Sequence, residues 1–124
     1  MKVVCVRLIS SVDGTPVPES RWLTLHAEYV VLSISAEPGG PLHFRILADD
    51  RYTPALFDSA MFAVTDGAIP PNWTVETDEG GALELGPARW LASGFWEAFF
   101  ERDPHAVQVF AEEMGVILAS LDQH

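Results

Sequence analysis

The chain has 124 residues, 48% of them hydrophobic, and a formal net charge of −11 at pH 7. That size suits one domain, 1–124, with a core of its own, and the apolar content excludes a disordered chain. Seven Lys and Arg against 18 Asp and Glu cannot furnish the basic stripe that nucleic acid requires, and they disfavour anionic membrane surfaces.

The N-terminal stretch Val3–Ile9 alternates weakly and predicts a strand, its Arg7 arguing against a signal peptide. The single Cys5 has no internal disulfide partner, which points to a reducing compartment and hence the cytoplasm. Asp13–Pro18 is rich in turn residues and predicts a surface loop. Trp22–Ala36 is β-prone, as two strands or one bent one, and its longest apolar run, Tyr29–Leu32, is far too short to cross a bilayer.

A hairpin follows around Glu37-Pro-Gly-Gly-Pro41. Pairing position 36 with 42, 34 with 44, 32 with 46 and 30 with 48 places Val30, Leu32, Ile34, Ala36, Leu42, Phe44, Ile46 and Ala48 on one face. Ser33, Ser35, His43 and Arg45 take the other. Thr53-Pro54 reads as the N-cap and first residue of a short helix through Met61, after which Asp66–Asn72 breaks regular structure.

The second hairpin, Trp73–Thr77 and Leu83–Leu85, turns through Asp78–Ala82. Two helices end the chain, about Gly94–Arg102 and then Asp103-Pro104 as cap and first residue of a helix to Leu121. In the last helix Val107, Phe110, Met114, Ile117, Leu118 and Leu121 form a predicted core stripe. Val109 and Val116 fall off it, and Gly115 suggests a close approach by another element; together they leave room for a homodimer. The expected fold class is α+β: an antiparallel sheet of about five to six strands with the C-terminal helices packed on one face.

Charge is unevenly spread. Residues 1–57 carry six acids and five bases, whereas residues 58–124 carry twelve acids and only Arg89 and Arg102. The second hairpin concentrates this, because its register sets Glu76 opposite Glu84 beside Asp78 and Glu79. Like charges so opposed are unfavourable for folding and favourable for receiving Lys or Arg side chains. Five aromatics crowd Trp90–Phe100; Phe95, Trp96, Phe99 and Phe100 share one helical arc of about 140°, which fits a core. Trp96 lies at the edge of that arc, and Trp90, outside the helix, is the expected exposed anchor.

Chemistry-bearing motifs are absent: there is no nucleophile elbow, phosphate loop or dinucleotide fingerprint, so no catalytic residue and no cofactor is assigned. His26-x-Glu28 with His43 lacks zinc spacing, and no metal site is assigned.

The segments Ile69-Pro-Pro-Asn-Trp73 and Gly94–Pro104, with Tyr29–Ser35 and Thr53–Phe57, resemble a pattern in small, uncharacterised single-domain bacterial proteins, over about residues 28–121. In size and acidity these are similar to the immunity proteins that neutralise polymorphic bacterial toxins. That resemblance implies a non-catalytic binder that blocks a basic protein partner, with Glu76, Asp78, Glu79, Glu84, Trp90 and Trp96 as its contact residues. The alternative is a small-molecule binder or small enzyme using a pocket between sheet and helices, with His26, Glu28 and His43 as its polar lining.

Overall fold

Strand β2 (Glu28–Ala36) organises the molecule because it pairs along both edges with three partners. The computed structural model describes residues 1–10 and 12–121, so residue 11 and the last three of the expected domain span lie outside the described residues. The other elements are β1 (Lys2–Cys5), β3 (Leu42–Leu47), β4 (Pro54–Asp58), a 3-10 turn (Ser59–Met61), β5 (Phe62–Asp66), β6 (Trp73–Thr77) and β7 (Leu83–Pro87). Helices α1 (Ala88–Leu91), α2 (Phe95–Phe100) and α3 (Pro104–Leu121) follow. The seven strands form one antiparallel sheet, and the helices make it an α+β fold.

The sheet forks at β2. One edge of β2 takes β3 and then β4, while the other takes β1 at Glu28–Val30 and β7 at Ile34–Ala36. β5 completes the first branch and β6 the second. In the path β4-β3-β2-β1-β5 the two outer strands are joined only by Ser59–Met61. Four peptide steps reach about 14 Å, less than the roughly 19 Å across five flat strands. The sheet is therefore curled. Its concave side holds Val3, Cys5, Tyr29, Val31, Phe44, Ile46 and Met61, with Phe62 edge-on to Tyr29 at 6.4 Å.

The helices cover the convex side, where Leu32, Trp90, Phe95, Val109 and Ile117 make a second core. A bulge in β2 serves both sides. Ile34 faces Phe44 and Ala36 faces Leu42 as the sequence predicts, but past Ser33↔Arg45 the register slips so that Val31, not Leu32, faces Ile46. Three consecutive buried residues result, Val31 toward the curl and Leu32 toward the helices.

Several expectations are corrected. Residues 54–58 form strand β4, not a helix: Pro54 opens an edge strand, where its missing N–H is harmless, and pairing with β3 overrides the local Thr-Pro signal. The Val3–Ile9 strand stops at Cys5, and Trp22–Ala27 precedes β2 without joining it. In α3 the predicted stripe holds at Ile117, Phe110 and Met114, but the buried face also takes Ala106, Val109 and Ser120 and leaves Val107 and Leu118 exposed. Val109 is thus core, and no described atom comes within 4 Å of a Cβ placed on Gly115, so the close approach expected there is not made within this chain. The expected cap of α3 is present, with Asp103 Oδ2 accepting the Ala106 N–H at 3.0 Å.

Candidate functional site

The second hairpin folds in the predicted register. Val75 faces Leu85, Thr77 faces Leu83, and Glu76 stands directly opposite Glu84. β7 in turn pairs with β2, setting Glu84 opposite Ser35; Ser35 opposes His43 on β3, and His43 opposes Asp58 on β4. Directly opposed residues share a sheet face, so one row runs Asp58–His43–Ser35–Glu84–Glu76 across five strands. Ser33 and Arg45 form the next row inward, beneath the helices.

The tips of the two hairpins touch. A Cβ on Gly81 would lie 3.3 Å from Pro38 Cγ, which brings the turn that follows Glu37 against the turn that follows Asp78 and Glu79. Glu37, Glu76, Asp78, Glu79 and Glu84 are all exposed at this end of the sheet. Among the described residues none of the five makes an ion pair within 4 Å. Arg89, the nearest base in sequence, is engaged elsewhere: Nε donates to Glu113 at 2.9 Å and Nη2 to Glu112 at 3.2 Å, both on α3.

Arg45 is a base beneath the face. Its guanidinium lies 3.8 Å from the centre of the Trp96 ring and donates to the Pro54 carbonyl at 2.8 Å. Burial pushes the Arg45 guanidinium down to about 10, and the charge of Glu84 acts in the opposite sense. Trp96 therefore borders the acidic row, but one face of its ring is covered by Arg45, and the rest packs on Trp90, Phe95, Phe99 and Phe110.

Trp90 is not an exposed anchor. It is 1% exposed, stacked on Phe110 at 5.0 Å and on Phe95 at 6.5 Å. The short helix α1, missed in the sequence, turns the residue inward onto Leu32. Of the sequence-derived site residues, Glu76, Asp78, Glu79 and Glu84 come together, Trp96 lies one row away, and Trp90 belongs to the core. Glu37 was missed because the contact between hairpin tips is tertiary.

The trio His26, Glu28 and His43 is not assembled. Glu28 accepts from Thr65 Oγ1 at 3.0 Å and pairs with Lys2 at 3.8 Å, and His26 occupies a left-handed turn with φ 71°. His43 pairs with Ser35, seven residues along β2 from Glu28, or about 23 Å of strand. Between β2, the end of β3 and α3 lies a cleft of about 710 Å³ reached by Glu28 but not by either histidine. At its mouth Asp49 accepts from Tyr29 Oη at 2.6 Å and Thr24 Oγ1 at 2.7 Å, a network closed on itself. Among the described residues no group of three or more His, Cys, Asp or Glu side chains is placed to hold a metal ion, and no helix is long and apolar enough to cross a membrane. The chain matches no protein-family model, no curated protein and no solved structure.

Proposed function

We propose that this protein binds and blocks a basic protein partner through the face that carries Glu37, Glu76, Asp78, Glu79 and Glu84, as an immunity protein occludes a toxin effector domain. The observation that carries this reading is the direct opposition of Glu76 and Glu84, neither of which makes an ion pair within 4 Å among the described residues. Such a pair costs folding free energy, of the order of tenths of a kcal/mol, and repays it only when a cation arrives. In this mechanism no bond is made or broken. The carboxylates stand in for the anionic substrate of the partner, and the short wall of Trp96 and Phe100 limits how the partner seats.

Association through such a face is fast at low salt and slows steeply as salt rises. The test is titration against the product of the adjacent gene, with association rates measured over a salt series. Glu76→Lys with Glu79→Lys removes the field while leaving Glu84 beside Arg45; it should slow association by about tenfold or more at low salt. Unchanged rates and an unchanged salt slope would end the acidic-face reading.

A further inference from the structure

A second opening is bordered by residues 8–10 and 14–23 on one side and by Leu56, Phe57 and Asp58 of β4 on the other. We propose that the cleft there, about 640 Å³, binds a small organic cation with a flat apolar body, of the arylalkylammonium class. Its volume falls among sites that take such molecules, roughly 300–1,000 Å³, and the mouths of curled sheets are a common place for them. Because it wraps the strand edge it is lined from both faces of the sheet, by Phe57 from the concave side and by His43 and Asp58 from the other. Phe57 and Met61 supply apolar wall, and Trp22, 42% exposed, supplies an open indole.

The polar lining selects the charge of the ligand. Ser20 is committed to the N–H groups of Trp22 and Leu23. Asp58 Oδ1 accepts the Ala60 N–H at 2.8 Å, and its other oxygen has no partner among the described residues. Glu19 makes no hydrogen bond or ion pair among those residues. Two carboxylates thus face the cleft against one guanidinium, Arg21, in a chain of net charge −11. A field of that sign draws cations and repels anions.

Arg21 shows how the indole is used. Its guanidinium carbon stands 5.5 Å from the centre of the Trp22 ring, so the ring already carries a cation of the protein's own. A ligand ammonium lies toward Asp58 and Glu19 with its arene against Phe57 and Trp22, and Arg21 competes with it. The site shares Asp58 and His43 with the end of the acidic row, but it rests on the cleft and its aromatic wall, and it stands or falls separately from the protein-binding reading.

The experiment is calorimetric titration of the intact protein with 2-phenylethylammonium, 2-phenylethanol and phenylacetate, each to about 20 mM, since ligands of this size bind with dissociation constants near the millimolar range. The ammonium should bind best and the carboxylate worst, and the preference should shrink as salt rises. Asp58→Asn retains the oxygen that caps Ala60 and should weaken the ammonium about three- to fivefold, as should Glu19→Gln. Arg21→Gln should tighten it about threefold, an effect that a merely structural role for Arg21 does not produce. Absence of saturable binding by the ammonium, equal binding of the carboxylate, or weaker binding in Arg21→Gln would each overturn the proposal.

Discussion

Glu76→Lys should stabilise this protein while weakening its proposed interaction. Glu76 and Glu84 are directly opposed and exposed, and splayed carboxylates on such a pair lie about 7 Å apart. Coulomb's law in a water-like dielectric gives a repulsion of about 0.6 kcal/mol. A lysine at position 76 turns this into an attraction of similar size, a swing of about 1.2 kcal/mol at low ionic strength. At 0.15 M salt, with a Debye length of about 8 Å, the swing falls to about 0.5 kcal/mol. Glu and Lys have similar strand propensities, so little else changes. Thermal unfolding by circular dichroism in about 10 mM salt should show a midpoint about 4 °C above the parent, shrinking toward zero in about 0.5 M salt. A variant no more stable at low salt, or a gain that high salt leaves intact, would refute the idea that the pair is electrostatically strained.

Trp90→Ala should cost about 3–5 kcal/mol, because it empties the centre of the ring cluster on Leu32; denaturant titration measures it, and a loss below about 1 kcal/mol would contradict burial. Gly86→Ala should cost about 1–3 kcal/mol, since the new Cβ would stand 2.9 Å from Ser33 Cβ where β7 passes β2. Burial raises the Cys5 thiol and the Tyr29 phenol above their ordinary values. The unfolded chain then releases these protons first, so stability should fall as pH rises through about 8.5 and again through about 10. Midpoints of thermal unfolding between pH 7 and 10.5 read this, and Cys5→Ala should flatten the first step. Native Cys5, 0% exposed, should also react with a thiol reagent only on unfolding.

Short-range pattern made part of this fold legible. The second hairpin and its Glu76–Glu84 pair follow from alternation and a Gly-Gly turn, as do the cap and first turn of α3 at Asp103-Pro104. Alternation also gave the β2–β3 register as far as Ser33; the bulge at Leu32 was invisible because it answers to two cores on opposite faces, which one period-2 pattern does not encode. Thr53-Pro54 was ambiguous in itself, since Pro opens an edge strand as readily as a helix, and only the pairing of Pro54 with Leu47 decides. Trp90 was misplaced for a similar reason. Its exposure was inferred from lying outside the aromatic arc of α2, but α1 turns it back under that arc.

The acidic face lies where the helix layer stops. Helices α1 and α2 have four and six residues, about 6 and 9 Å of helix. α3 begins at Pro104 and packs against Leu32 through Val109 and Ile117, well inside the hairpin ends. A bare sheet face can be kept soluble by charges of mixed sign, which also relieve one another. This chain instead engages Arg89 with Glu112 and Glu113, Lys2 with Glu28, and Arg45 beneath Trp96. Among the described residues the carboxylates at the hairpin ends make no ion pair, with Arg45 beneath Glu84 as the base whose charge reaches them, so a basic partner of the kind proposed would add the positive charge that this face lacks.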